Sequence, residues 1–338
     1  MTRQPGRHLA LVGPTASGKT DVGLALAEMR NESGTATEIL SCDSMQVYRG
    51  MDIGTAKPTA EQQARVRHHM IDVAEPTDES SLGMFLGAAR EALEGIESRG
   101  ASALLLGGTG LYAQAMVDEF DPPPQFPAIA AQLDAEPDTT ALQERLASLD
   151  PEALERIPQG NRRRIIRALE VTLGSGKPFS THGKRLDSYG PTPFVLTGLR
   201  PDREELTQRI NRRYDAQMEA GFLQEARVLH ELGDSLSRTA AAALGYRELL
   251  SFLRGEVSED EALGTARIRT RRFAVRQMRW FGRDPRIQWF EPPLGGAGEV
   301  AAVAGRIDSL WRKCTAERRG SVATVAGGPT TAEPKEGV

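Results

Sequence analysis

The 338-residue chain has little cysteine: Cys42 and Cys314 stand alone and far apart in sequence. Two such residues cannot build a disulfide framework or a cysteine-based metal cluster. Long apolar runs are also missing, and Met1 to Arg7 is polar with no apolar signal core. These absences exclude a membrane-spanning helix on pattern and give the expectation of a soluble, reducing, cytoplasmic setting. Aromatic residues make up 5% of the chain, and the formal net charge is −4, which argues against a general nucleic-acid binder. The charge is uneven, however. Acidic residues dominate around Asp72 to Glu97, whereas arginines gather at 162–167, 203–213 and 267–286. A locally positive surface suits a specific polyanionic partner, and solvated helix faces with Glu–Arg pairs account for the same pattern.

What the chain does have is a phosphate loop. Leu9-Ala10-Leu11-Val12 leads into Gly13-Pro14-Thr15-Ala16-Ser17-Gly18-Lys19-Thr20, followed by helical spacing through Val22, Leu24, Ala25, Leu26 and Met29. The pattern predicts a strand, an anion-cradling loop and a helix whose N-terminus points at phosphate. Lys19 adds a point charge, and the Thr20 hydroxyl is a Mg²⁺ ligand in loops of this type.

Residues 1–118 alternate strand and helix: strands at Thr37–Cys42 and Ala101–Leu106, and a helix at 84–97. This spacing predicts an α/β fold, a P-loop NTPase-like parallel sheet covered by helices. Ligands in such sheets sit beyond the carboxyl ends of the strands, where the phosphate loop, Asp43-Ser44 and Gly107-Gly108-Thr109-Gly110 all fall. An ordinary P-loop NTPase ends an apolar strand with an Asp that holds Mg²⁺. Here the Leu104–Leu106 strand runs into glycines with no acid, which favours a transferase over a hydrolytic switch.

Residues 119–190 read as a helical insertion. Pro122-Pro123-Pro124 opens it, and amphipathic helices follow at Leu142, Leu146, Leu149 and at Ile165, Ile166, Leu169, Val171. Residues 191–314 rejoin the core through a strand at Phe194–Leu199. Helices are then expected from Asp202 to Gly221 and over 222–232, 240–253 and 259–282. The tail, 315–338, is expected to be disordered from its Gly, Thr, Ala and Pro content.

Asp43, after its apolar strand, is the candidate acid, with capping of the next turn as the alternative reading. Thr109, between glycines, is placed to donate to a phosphate or substrate oxygen, with a tight turn closed by the glycines as the alternative reading. Arg213 suits a diphosphate or a solvated helix face. His68-His69 lack a third ligand and read as structural. Tyr48, Phe273, Trp280 and Phe281 are candidates for base stacking or for core packing.

In order along the chain, Gly13–Thr20, Asp43-Ser44-Met45-Gln46-Val47-Tyr48, Met51-Asp52-Ile53-Gly54-Thr55-Ala56-Lys57-Pro58, Gly107–Tyr112, Asn161–Glu170 and Leu244–Leu249 strongly resemble the bacterial tRNA dimethylallyltransferases. The resemblance spans about residues 8 to 290. It implies transfer of a dimethylallyl group to N6 of the adenosine 3′ of a tRNA anticodon, position 37. It also implies a P-loop core with a helical insertion, Mg²⁺ as cofactor, an anticodon stem-loop as partner, and a monomer. The phosphate loop would hold dimethylallyl diphosphate rather than ATP. Asp43 would be the general base, and Thr109 and Arg213 would stabilise the departing diphosphate. Asp43, Ser44, Met45, Gln46 and Thr109, with Arg163, Arg164, Ile165, Ile166 and Arg167, match tRNA-touching segments. One departure is visible: Phe126-Pro127-Ala128-Ile129-Ala130 stands where the family carries Asp-Pro-x-x-Arg and a tRNA contact, with neither the acid nor the arginine. Rival readings are a nucleoside or small-molecule kinase and a non-catalytic RNA-binding adaptor.

Overall fold

The computed structural model describes residues 6–182 and 186–326. Its centre is a six-stranded, all-parallel sheet: β1 (His8–Val12), β2 (Thr37–Cys42), β3 (His68–His69), β4 (Ser102–Gly107), β5 (Phe194–Leu199) and β6 (Gln288–Phe290). The strand order is β3-β2-β4-β1-β5-β6. β1 and β5 are buried along their whole length, as expected where helices cover both faces of a parallel sheet.

The pleat divides the core. Leu9 and Leu11 of β1 pack with Val22, Leu26 and Trp311, from the helices Lys19–Glu32 and Ala297–Ala326. Ala10 and Val12 face the other side, toward Ala113, Val117 and Phe281. Registry then sets the site. Val12 lies beside Gly107, and Gly107 beside Cys42, so the residues that follow (Gly13, Gly108 and Asp43) leave the sheet from one row. A side chain at Gly107 would put its Cβ 2.0 Å from the Cys42 carbonyl oxygen, so only glycine lets these strand ends close.

The chain divides into two units, residues 1–118 with 189–338, and residues 119–188. The second unit has its own core, built by Leu133, Leu142, Leu146, Ile165, Ala168 and Leu169 around the helix Arg162–Ser175. The altered segment beginning at Phe126 is packed here. The Phe126 ring covers Gly174, and its N–H donates to Glu170 Oε1 at 2.6 Å.

Several elements depart from the pattern read in the sequence. The helix expected over 240–253 is two pieces, Arg238–Ala241 and Tyr246–Leu253, because Gly245 between them adopts a left-handed φ of 88°. Gly110 begins a helix, Gly110–Val117, rather than closing a turn. β3 and β6 are edge strands of two and three residues, too short to show alternation. The last helix continues to Ala326, through the first part of the segment expected to be disordered. Its Ala, Glu and Arg content outweighs the scattered Gly and Thr, and the expectation for 327–338 lies outside the described residues. Among the described residues no helix is long and apolar enough to cross a membrane.

The last helix is anchored by Trp311. It is fully buried, its indole donates to the Gly6 carbonyl at 3.2 Å, and the Arg30 guanidinium stacks 3.7 Å from its ring centroid. Removing such a side chain leaves a cavity and an unstacked buried cation. Trp311→Ala should cost about 3–5 kcal/mol in urea unfolding, and a loss below about 1 kcal/mol would show that this helix is not part of the cooperative core.

Candidate active site

The phosphate loop is tied to two neighbouring elements. Its Thr15 N–H donates to Gln277 Oε1 at 2.9 Å, and Gln277 Nε2 donates to the Gly108 carbonyl at 2.7 Å. One buried amide thus joins the loop after β1 to the loop after β4. Gln277 comes from the helix Glu259–Phe281, in a buried stripe otherwise made of Ala262, Ala266, Thr270, Ala274 and Phe281. A lone glutamine in an apolar stripe is the sequence signal that would have singled it out.

Arg213 arrives from the helix Arg203–Glu219, which Asp202 caps and which buries Leu206, Ile210, Tyr214 and Gln217. Its NH1 donates to Thr15 Oγ1 at 2.6 Å, while its Nε is buried with no partner among the described residues. The alternative of a solvated face therefore fails for Arg213. Among the described residues Ser17 Oγ is likewise buried and unpartnered, and Lys19 Nζ donates only to the Pro14 carbonyl, at 3.2 Å. Buried donors left over around one loop need an acceptor to arrive. Burial pulls the Lys19 ammonium down to about 8; the Asp43 carboxylate opposes this and the Arg213 cation adds to it. Burial also lowers the Arg213 guanidinium, with Asp43 again opposing.

Asp43 takes up its capping reading: Oδ1 accepts the Met45 N–H at 2.9 Å, closing the turn. Its carboxylate also lines both cavities described below. Thr109 Oγ1 accepts from the Ser44 N–H at 3.2 Å and sits 3.4 Å from Ser44 Oγ, so these two hydroxyls join the ends of β2 and β4. Gln46 lines the cavity along the phosphate loop, accepting from Ser41 Oγ at 2.9 Å and donating to the Ala56 carbonyl at 3.2 Å.

Two cavities meet here. One, of about 300 Å³, follows the phosphate loop from Thr15 to Asp21. The other, of about 520 Å³, is walled by Met45, Gly54, Thr109, Tyr246, Arg269 and Phe273 among others. Thr15, Asp43, Thr55 and Arg213 line both, so the candidate acid and the candidate diphosphate ligand stand at the neck. Arg247, Arg269, Arg272 and Arg276 also reach the larger cavity; the sequence pointed to the cluster that holds the last three but not to these individuals, and Arg247 lies in the Leu244–Leu249 motif.

Other candidates separate. Tyr48 and Phe281 are core residues, whereas Phe273 faces the larger cavity. Trp280 packs on Gly110 and carries the Arg283 guanidinium 4.2 Å from its ring centroid. His69 pairs with Glu38 at 2.6 Å and His68 with the Val66 carbonyl at 2.7 Å, and no group of three ligating side chains exists among the described residues. In the insertion unit Ile165 is in the core, Ile166 packs against it, and Arg167 donates to the Pro123 and Pro124 carbonyls. Arg163 and Arg164 are exposed.

The cation at Lys19 gives a pH test. Its charge is present below about pH 8 and lost above, so anion binding at the loop weakens as pH rises through that value. With lysines ¹³C-methylated, the resonance that disappears in Lys19→Met should titrate near 8 and move upward when inorganic pyrophosphate is added. A midpoint near the ordinary 10.5 that ignores pyrophosphate would contradict the site.

Comparison with known proteins adds the rest. A family profile described as IPP transferase matches residues 46–284. The tRNA dimethylallyltransferase of Thermobifida fusca is 45% identical over 316 residues, covering 92% of this chain and 98% of that protein. That of Streptomyces coelicolor is 41% identical, covering 88% and 94%. Among solved structures, the full-length tRNA isopentenylpyrophosphate transferase of Bacillus halodurans aligns at a TM-score of 0.66 and 33% identity, over 94% of this chain and all of that one. A eukaryotic dimethylallyltransferase described as acting on tRNA, 22% identical with a TM-score of 0.73, shares the fold. A phosphate loop with unspent donors, an acid one residue beyond β2 and this degree of likeness lead to one conclusion: the chain belongs to the IPP transferase family, the tRNA dimethylallyltransferases.

Proposed function

We propose that the two cavities divide the reaction of this family, the smaller holding dimethylallyl diphosphate by its phosphates and the larger receiving the adenine of position 37. The observation that carries this reading is the neck, where Asp43 and Arg213 line both cavities. The N6 amine attacks the terminal allylic carbon, the carbon–oxygen bond to diphosphate breaks, and the amine proton passes to the free oxygen of Asp43. Charge then grows on the leaving diphosphate, against the loop N–H groups, Ser17, Lys19 and Arg213. Donors already aimed at that charge cost no reorganisation during the reaction. Thr109, fixed by Ser44, adds a hydroxyl at the same edge.

Mg²⁺ fits this site as a partner shared with the diphosphate. The Thr20 hydroxyl lines the smaller cavity and bonds no described residue, and among the described residues no group of three ligating side chains competes for the ion. When bound, it neutralises leaving-group charge.

A base stacked in an anticodon loop cannot reach Asp43, so the nucleotide is extruded into the larger cavity. Phe273 and the four arginines there suit an unstacked purine and its flanking phosphates. On the insertion unit, Arg163 and Arg164 are the residues left free to meet the tRNA backbone. Ile165 and Ile166 support the helix that carries them.

Incubating unmodified tRNA with the protein, dimethylallyl diphosphate and Mg²⁺ should give N6-(dimethylallyl)adenosine by nucleoside mass spectrometry; no transfer to any tRNA would reject the proposal. Asp43→Ala should lower turnover by about 10²–10⁴ with tRNA affinity nearly unchanged, and full turnover would remove its role as base. Arg164→Ala should weaken tRNA binding and reduce the slope of log affinity against log salt by about 0.7–0.9. An unchanged slope would make it an ordinary surface charge.

A further inference from the structure

The loop Met51 to Lys57 walls the site, with Gly54 and Thr55 on the larger cavity and Thr55 to Lys57 on the smaller. The loop itself contains no helix or strand. Its shape comes from elsewhere: the Glu225 carboxylate accepts the N–H groups of Asp52 at 2.9 Å, Ile53 at 2.9 and 3.1 Å, and Gly54 at 3.0 Å. Successive backbone N–H groups converging on one anion form a nest, and here the anion is built in. From the other side Gln217 Nε2 donates to the Ile53 and Gly54 carbonyls, at 2.5 and 3.2 Å. The Tyr246 hydroxyl donates to Glu225 as well. Burial, reinforced by the Glu225 charge, pushes the Tyr246 phenol up, so it stays a donor. The rings of Phe222 and Tyr246 pack edge to face, 4.8 Å between centroids, so closely over Gly54 that a Cβ there would lie 2.2 Å from Phe222.

Glu225 lines neither cavity, yet it fixes the turn whose Gly54 walls the larger one and, through Tyr246, a side chain of that same cavity. We propose that Glu225 is a positioning residue for the acceptor nucleotide, holding the Asp52–Gly54 turn and the Tyr246 ring as the wall against which the extruded base is seated. This rests on the division of cavities above. The diphosphate ligands are independent of it: Ser17, Lys19 and Arg213 make no hydrogen bond to Glu225, Tyr246 or the Asp52–Gly54 turn. Loss of the clamp therefore acts on tRNA and leaves phosphate binding alone.

Glu225→Gln keeps the size but turns a donor toward three donors; Tyr246→Phe keeps the ring and removes one bond. Amide hydrogen exchange at Asp52, Ile53 and Gly54 should rise tenfold or more in Glu225→Gln and by less in Tyr246→Phe. In the same order KM for tRNA should rise, about tenfold for the first, while inorganic pyrophosphate binds within twofold of wild type. Faster exchange with unchanged tRNA kinetics would overturn the proposal. So would a fall in pyrophosphate affinity in step with the tRNA effect, the mark of general loosening. If Glu225→Gln does not fold, the same comparison is made on Tyr246→Phe. A wild-type protein that transfers nothing would instead sink the assigned reaction, and the exchange data would still decide whether the clamp exists.

Discussion

The structure depends on a row of three strand ends closed edge to edge. Val12, Gly107 and Cys42 lie in one register, and the close approach of Gly107 to the Cys42 carbonyl keeps them there. From that row the chain leaves in three loops, which deliver the anion nest, the Thr109 hydroxyl and the Asp43 carboxylate to one place. Gln277 then ties two of the loops together from a distant helix. The site is thus a product of sheet geometry, and local loop chemistry only decorates it.

Two cations share this place with one carboxylate, and both are destabilised by burial. In the free protein that arrangement is costly, since Lys19 and Arg213 repel and, among the described residues, Ser17 Oγ and Arg213 Nε have no partner. In the division of cavities proposed above, an entering diphosphate relieves that repulsion and takes up the spare donors, and the charge that accumulates on the leaving group gains most from them. The missing acid at the end of β4 fits the same logic, because no attacking water has to be positioned.

Much of this was readable from residues alone, for physical reasons. The phosphate loop, β2 and β5 carry continuous apolar runs or fixed glycine spacing, and their bounds match closely. Asp202 as a cap and the Leu206–Ile210–Tyr214 stripe placed the Arg213 helix, though not which way Arg213 faced. What escaped is what depends on distant partners. β3 and β6 exist because a sheet edge is waiting for them; the clamp by Glu225 joins residues over 170 positions apart. Gly245 broke a helix that local spacing favoured, because its turn packs against Phe222. The insertion illustrates the reverse: Ile165 and Ile166 belong to a motif whose resemblance points at tRNA, yet their side chains hold the helix while the neighbouring arginines stay exposed.

The most direct test is a crystal structure with the unreactive thiolo analogue of dimethylallyl diphosphate. The account predicts its phosphates over Lys19, with oxygens within hydrogen-bond distance of Ser17 Oγ and Arg213 Nε, and its allylic end directed past Asp43 toward the larger cavity. Phosphates bound anywhere else, with Arg213 Nε still unpaired, would contradict it.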